Sequence, residues 1–127
     1  MTPTAEAFIQ RKKKEFESEK RREVRAKDIS RKGWRIWKRE ACTFMPQSDY
    51  PEKVFVIERL RYIGDEGSPP PWPTNFDRCQ YRIGYFIVAK IGKRQGNWWW
   101  GQYCPFIPSR DFHDLMGKAE REGTILK

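Results

Sequence analysis

The stretch 80-QYRIGYFIVAKIGKRQGNWWWGQYC-104 decides the fold, because its pattern is that of two β-strands joined by a short turn. In its first half the odd-numbered residues are apolar or aromatic and share one face, since side chains alternate across a strand. The residues 92-GKRQG-96 are typical of a hairpin loop. Gly84 and Gly101 lie inside the two strands and indicate a sharp bend or a bulge at each position. The stretch therefore predicts an antiparallel hairpin whose middle is buried on both sides.

Two more strands are expected before this hairpin, and one helix after it. The segments 34-WRIWKREACTFM-45 and 54-VFVIERLRYI-63 are rich in large apolar residues, which favours strands. The segment 111-DFHDLMGKAEREG-123 has apolar residues at helical spacing instead, with Ser109 placed to cap its start and Gly123 to end it. This C-terminal helix is expected to cover one face of the sheet.

Residues 4 to 32 are expected to form one long helix that begins at Thr4 and ends at Gly33. The segment lacks interior Pro and Gly, and it twice places Glu four residues before a basic residue, which stabilises helices. Its few apolar residues form a narrow stripe that can pack along one edge only. The chain is thus expected to divide into a basic helical arm, residues 1–33, and a compact domain, residues 34–127.

These elements predict the α+β fold class. Four antiparallel strands form a strongly bent sheet that can close partly into a barrel. A C-terminal helix packs on the sheet, and a long basic helix precedes it.

The charge balance favours a polyanionic partner. The chain carries 26 Lys and Arg against 17 Asp and Glu, a net charge of +9. Residues 1–33 hold 11 of these cations against 6 carboxylates, so that they account for +5 of the excess. Nucleic acid is the first expectation from such a balance, and an anionic membrane surface the second. Aromatic residues make up 15% of the chain, which excludes a disordered protein.

The cysteines and the chain start favour a cytoplasmic protein without a metal or a cofactor. Cys42, Cys79 and Cys104 are odd in number and lack C-x-x-C spacing, so reduced thiols are expected rather than disulfides or a zinc site. The N-terminus lacks the apolar run of a signal peptide, and no segment has the length of a membrane span. No membrane partner is expected.

The run of three tryptophans admits two interpretations. In a strand, Trp98 and Trp100 point to one side of the sheet and Trp99 to the other. All three are core residues in the first interpretation, because large aromatics dominate cores, and Trp99 then packs under a long loop. In the second, an indole forms a platform beside basic residues of the same hairpin, on which a base can stack.

These features predict a small, non-catalytic protein that binds DNA or RNA largely without regard to sequence, with single strands favoured. The indoles expected to stack with bases are those of Trp34, Trp37 and Trp99. The side chains expected to contact phosphates are Lys12, Lys13, Lys14, Arg21, Arg22, Arg35, Lys38, Lys93 and Arg94. Arg59 and Arg61 project from one strand face and Glu58 from the other, so a phosphate groove and a cross-strand salt bridge are both open there.

No pattern of residues predicts an enzyme. His113 is the single histidine and lies within the C-terminal helix, and the common hydrolase, zinc-protease and P-loop motifs are absent. No catalytic residue and no metal ligand is therefore expected. A metal-dependent nuclease is the least favoured alternative, because the candidate carboxylates lie mostly in loops without close spacing.

A protein-interaction module is the main alternative. The N-terminal helix could dock a larger protein or a second copy of the chain along its narrow apolar stripe. The connection 64-GDEGSPPPWPTNFDR-78, with four prolines and no periodicity, would contribute to the same surface.

Overall fold

The computed structural model describes residues 1–27, 32–68 and 75–126, with the exception of the side chain of Lys20. Two helices and five strands make up this part of the chain. In chain order they are α1 (Ala5–Phe16), β1 (Glu23–Lys27), β2 (Gly33–Gln47), β3 (Tyr50–Gly67), β4 (Cys79–Val88), β5 (Trp98–Trp100) and α2 (Ser109–Arg121). Short 3-10 turns occupy Glu19–Arg21 and Gly92–Arg94.

The five strands form one antiparallel sheet in the order of the chain, and the sheet is strongly curled. The α+β class is confirmed, whereas the expected number of four strands is wrong by one. Strands β2 and β3 are 15 and 18 residues long and their pairing shifts register at three places. Such irregularities bend long strands and increase their twist, which lets a sheet this narrow curl.

The additional strand comes from the segment predicted as the second half of a long helix. The helix begins after Thr4, whose hydroxyl accepts a hydrogen bond from the Ala7 amide as a cap, but it ends at Phe16. Between Phe16 and Val24 the segment offers no apolar residue to bury, and favourable charge pairs stabilise a helix by only tenths of a kcal/mol. As part of β1, Val24 packs against Trp37 of the neighbouring strand. Residues 28–31, the expected end of the long helix, lie outside the described residues.

Helix α1 covers one face of the sheet. Phe8 and Ile9 of α1 are buried there against residues of β2, β3 and β4. The ring of Phe8 stacks on that of Trp98 with centroids 4.7 Å apart, and the Trp98 indole Nε1 donates to the carbonyl of Pro3. The first 27 residues thus contribute a helix to this core and an edge strand to the sheet.

Helix α2 covers the opposite face, as expected. Leu115 and Ala119 are fully buried against Phe55, Ile57 and Tyr85. The helix ends before Gly123, which has a φ of +79°, a left-handed conformation that favours glycine. Ser109 is the first helical residue, however, and its side chain makes no capping hydrogen bond.

The glycines predicted to mark a sharp bend or a bulge, Gly84 and Gly101, allow close aromatic packing. The pairing of β3 with β4 runs through Gly84 without a register shift. A Cβ atom on Gly84 would lie 2.4 Å from the indole of Trp100, and one on Gly101 would lie 2.1 Å from the ring of Tyr85. Only glycine lets the two aromatic rings lie directly on the backbone at these positions.

Candidate functional site

Two adjoining clefts lie on the α1 face of the sheet, with volumes of about 420 Å³ and about 210 Å³. Both are lined by Lys12, Phe86 and Trp100, so that they form one continuous depression, here called the α1 groove. The charged residues that line it are Arg11, Lys12, Glu15, Arg21, Glu23, Arg25, Arg39, Glu58 and Arg82. Six of these are cations and three are carboxylates, so the groove is net positive.

Trp100 forms an aromatic floor where the two clefts meet. Its indole lies over the backbone of Gly84 and is half-buried. Phe86 approaches it edge-on, with ring centroids 5.1 Å apart. The guanidinium carbon of Arg82 lies 4.9 Å from the indole centroid, within the range of a cation–π interaction. The indole is therefore held in place by its neighbours and lines both clefts.

A buried carboxylate positions two arginines beside this floor. Glu58 is 1% exposed; its Oε2 accepts from Nε of Arg39 at 2.5 Å and its Oε1 from Nε of Arg82 at 2.7 Å. The three residues come from three adjacent strands, and they are called the Glu58 cluster below. A buried carboxylate is tolerated because both of its oxygens are paired with cations.

The terminal nitrogens of this cluster are only partly used. Arg39 donates through Nη1 to the carbonyl of Arg21, and its guanidinium lies 3.8 Å from the ring centroid of Phe16. Within the described residues, Nη2 of Arg39 and both Nη atoms of Arg82 have no protein acceptor. The cluster thus presents hydrogen-bond donors to the groove while its Nε atoms are fixed.

Lys12 and Arg11 add charge on the α1 side. The Lys12 ammonium lies 5.4 Å from the ring centroid of Phe86 and pairs with Glu15 at 3.0 Å. Arg11 is exposed and lies over the ring of Phe8 at 5.4 Å. The groove therefore has cations on its helix side and on its sheet side.

Two of the predicted site residues, Lys12 and Arg21, line the α1 groove. Trp99 borders the groove as part of β5, but its side chain lies on the opposite side of the sheet. Lys13 and Arg22 line a further cleft of about 240 Å³ that shares Phe16 and Arg39 with the α1 groove, and Lys14 is exposed on α1. The predicted cations of the N-terminal segment are thus divided between two clefts.

Two predicted site residues are part of the interior. Trp37 is 7% exposed and packs with Val24 and Leu60. Arg35 is 2% exposed, pairs with Asp65 at 3.0 Å and donates to the carbonyl of Ser68. Their burial leaves neither the Trp37 ring nor the Arg35 guanidinium accessible to a base or a phosphate.

The remaining predicted residues lie away from the groove floor. Trp34 is half-buried, with the cations of Arg25 and Lys27 at 5.3 and 4.6 Å from its ring. Lys38 is half-buried in β2, opposite Glu23. These side chains are not brought together with Trp99.

The hairpin after β4 places its cations beside Trp99. This side chain is 41% exposed, on the side of the sheet opposite Trp98 and Trp100, as the alternation predicts. The Arg94 guanidinium lies 3.8 Å from the Trp99 centroid, and Lys93 is exposed in the same turn. Arg94 therefore occupies one face of the Trp99 ring.

The principal residues of the groove were not predicted as site residues. They are Arg11, Arg39, Glu58, Arg82, Phe86 and Trp100. For Glu58 the sequence did contain a signal. Alternation along the strand places it on the opposite face from Arg59 and Arg61, as the structure has it. The partners of Glu58 depend on strand register, which a single sequence does not specify.

A second acid–arginine cluster lies on the opposite face. Glu40 accepts hydrogen bonds from Nε of Arg59 and from Nε of Arg61, both at 3.1 Å. The bond from Arg61, helped by Arg59, holds the pKa of the Glu40 carboxyl below its usual range. These three residues are called the Glu40 cluster below. They form the cross-strand salt bridge that was one of the two interpretations of Arg59 and Arg61.

Other reactive groups are placed as follows. His113 is exposed on α2, Cys104 is exposed, and Cys42 and Cys79 are half-buried free thiols. Within residues 1–27, 32–68 and 75–126, no three His, Cys, Asp or Glu side chains are placed to share a metal ion. In the same ranges neither helix has the length and apolarity needed to span a membrane.

Comparisons with protein families, with curated proteins and with solved structures found no match to this chain. The function proposed below is therefore inferred from the geometry and charge of the groove.

Proposed function

We propose that the chain is a non-catalytic nucleic-acid-binding protein that holds single-stranded DNA or RNA in the α1 groove. One observation carries the proposal: a half-buried indole, Trp100, forms the floor of a groove whose lining residues include six cations. Stacking on an aromatic ring with cations along the backbone path is how proteins bind single strands without regard to sequence.

The position of Trp100 favours an unpaired base. The indole lines a depression between α1 and the sheet and lies against the backbone of Gly84, so a base that stacks on the ring has to leave its own base stack. A base of a single strand can turn out of its own stack and lie against the ring, and every base has such a π face. Single strands should therefore bind more tightly than duplexes, with little dependence on sequence.

The cations would account for most of the affinity. Arg82 and Arg39 lie next to the floor, with Lys12 and Arg21 on the helix side. Each phosphate that a cation neutralises releases counterions, so the observed affinity should fall steeply as salt rises. A docking surface for an uncharged partner would respond much less to salt.

The test is a titration of intrinsic tryptophan fluorescence with short single-stranded and duplex DNA and RNA, at about 50 mM and about 200 mM salt. Saturable quenching by single strands, weakened by salt and lost in Trp100→Leu, supports the proposal. Trp34→Leu removes an indole outside the groove and should leave the quenching intact. No quenching by any nucleic acid with the folded wild-type protein would contradict the proposal.

One observation favours the alternative, a protein-interaction module. Ile91, Tyr103 and Phe106 are each more than 80% exposed, at 84%, 81% and 87%. Contiguous exposed apolar patches mark interaction surfaces, and side chains of this size are the ones that contribute to them. The stripe of α1, by contrast, already buries Phe8 and Ile9 in this chain's own core. Residues 69–74 of the proline-rich connection lie outside the described residues.

A further inference from the structure

We infer that the Glu58 cluster is a binding site for a terminal phosphate, a phosphomonoester, adjacent to a base stacked on Trp100. This inference rests on the proposed function and specifies which part of a nucleic acid the groove recognises. The shared ligand chemistry is a nucleoside monophosphate unit, either at a strand end or as a free nucleotide.

The two guanidiniums of the Glu58 cluster are held in place before any ligand binds. Glu58 is buried and bonds to Nε of both Arg39 and Arg82, which fixes each guanidinium in orientation. Phe16 packs against the Arg39 guanidinium at 3.8 Å and Trp100 against that of Arg82 at 4.9 Å. Two guanidiniums held in this way lose little conformational freedom when they bind an oxyanion.

The Glu58 cluster has enough hydrogen-bond donors for a phosphomonoester. Nη2 of Arg39 and both Nη atoms of Arg82 are without an acceptor in the described residues, and both side chains line the groove. Planar guanidiniums match the oxygens of phosphate in direction and spacing. A phosphomonoester has three terminal oxygens for such donors, whereas an internal diester has two.

The charge of the cleft favours a terminal phosphate over an internal one. The cluster carries two cations and one carboxylate, and Lys12 and Arg21 line the same cleft. Glu15, which is paired with Lys12, and Glu23 line this cleft as well, so that together with Arg25 its five cations exceed its three carboxylates. A terminal phosphate carries about −1.5 to −2 charges at neutral pH, against about −1 for a diester, so it gains more from the same cations.

The Glu58 cluster lies next to the Trp100 indole. Arg82 is shared between Glu58 and the Trp100 indole, so a phosphate on Arg82 is adjacent to a base on Trp100. A nucleotide has its base and its phosphate on one sugar and can therefore contact both groups at once.

The experiment compares one short single-stranded oligonucleotide in three forms: with a 5′-phosphate, with a 3′-phosphate, and with hydroxyls at both ends. We expect one phosphorylated form to bind about tenfold more tightly than the hydroxyl form, as one charge-assisted bidentate contact would give. Adenosine monophosphate is tested as a competitor. If adenosine monophosphate competes at concentrations similar to those of the phosphorylated oligonucleotide, free nucleotides are ligands too. If it does not compete, the ligand is the phosphorylated end of a strand. Both results agree with the inference.

The matched variants are Arg82→Gln and Arg61→Gln. Each removes one strand arginine that is paired with a glutamate, but they lie on opposite faces of the sheet. Arg82→Gln should abolish the preference for the phosphorylated end, and Arg61→Gln should keep it. Arg82→Lys, which retains the charge but not the planar donor pair, should also lose the preference even if Arg82→Gln folds poorly.

The outcomes separate the two claims. Equal binding of phosphorylated and hydroxyl ends, with quenching that depends on Trp100, overturns the phosphate site and leaves single-strand binding intact. Equal loss of the preference in Arg82→Gln and Arg61→Gln also overturns the site, since net charge alone would then explain it. No binding of any form overturns both.

Discussion

The two faces of the sheet carry the same arrangement of charges with different surroundings. On the α1 face Glu58 lies between Arg39 and Arg82 and is 1% exposed. On the α2 face Glu40 lies between Arg59 and Arg61, and its side chain is 27% exposed. Each carboxylate accepts from the Nε atoms of two arginines, which lie on the two flanking strands β2 and β4 for Glu58 and both on β3 for Glu40.

What distinguishes the clusters is the use of the remaining donors. Arg59 donates through Nη1 to the carbonyls of Gly123 and Thr124, so the Glu40 cluster connects the end of α2 to the sheet. In the Glu58 cluster both Nη atoms of Arg82 remain without a protein acceptor in the described residues and line the groove. The same acid–arginine pattern thus stabilises the fold on one face and leaves donors for a ligand on the other.

The largest expected effect comes from breaking the buried cluster. Glu58→Gln leaves two arginines without a counterion in a partly dry site and should lower the free energy of unfolding by about 3 kcal/mol. Glu40→Gln removes the equivalent partner at the surface and should cost less than about 1 kcal/mol. Urea denaturation of both variants tests the difference. Equal losses would mean that burial does not distinguish the two clusters.

The next effect concerns the aromatic floor. Gly84→Ala places a methyl group where the Trp100 indole lies, so we expect a loss of about 2 kcal/mol and displacement of the ring. Gly64→Ala, in β3, meets no atom within 4 Å and should change stability by less than about 0.5 kcal/mol. Thermal unfolding and the tryptophan emission maximum measure both effects. An unchanged emission maximum in Gly84→Ala would contradict the position given for Trp100.

A smaller effect concerns pH. The pKa of Glu40 is lowered in the folded chain, so its ion pairs contribute stability above the usual value of 4.5 and lose it as the pH falls through the folded value. Wild type and Glu40→Gln should therefore differ in unfolding free energy at neutral pH and converge as the pH falls through the folded pKa of Glu40. Denaturation curves across this range test the prediction. If the difference in unfolding free energy persists in acid, it arises from packing of the Glu40 side chain rather than from its charge.

The smallest effect uses Cys42 as a reporter of the buried carboxylate. Burial, and to a smaller extent the charge of Glu58, raise the pKa of the Cys42 thiol to about 11. Glu58→Gln should lower this pKa and Glu40→Gln should leave it unchanged. The pH dependence of alkylation by iodoacetamide, followed by mass spectrometry with the exposed Cys104 as an internal reference, measures it. Identical profiles in the two variants would mean that Cys42 does not sense Glu58.

The strands and α2 could be predicted because their patterns are strong and local. The alternation in 80–91 and the helical spacing in 111–123 each specify an element without any knowledge of its partners. The segment around Val24 could not be predicted in the same way. Its charge pairs favour a helix weakly, whereas its strand conformation depends on Trp37, which is 13 residues away along the chain.

The site was predicted less well than the fold because it is made by strand register. Alternation separates Trp99 from Trp98 and Trp100, and Glu58 from Arg59. It does not specify that Glu58 lies opposite Arg82, or that Gly84 leaves space for an indole from the next strand. The cations of the N-terminal segment were selected for their charge alone, but Lys12, Lys13 and Lys14 lie in α1, whereas Arg21 and Arg22 lie at the end of the 3-10 turn that follows it.

The central claim is that a nucleic-acid base stacks on Trp100. The most direct measurement follows the indole Nε1–H resonances of the ¹⁵N-labelled protein, which has six tryptophans, during titration with a short single-stranded oligonucleotide. Assignment uses Trp100→Phe and the corresponding single variants. We predict a large shift for Trp100, a smaller one for Trp99, and none for the buried Trp37. Binding that leaves the Trp100 resonance unmoved would contradict the claim.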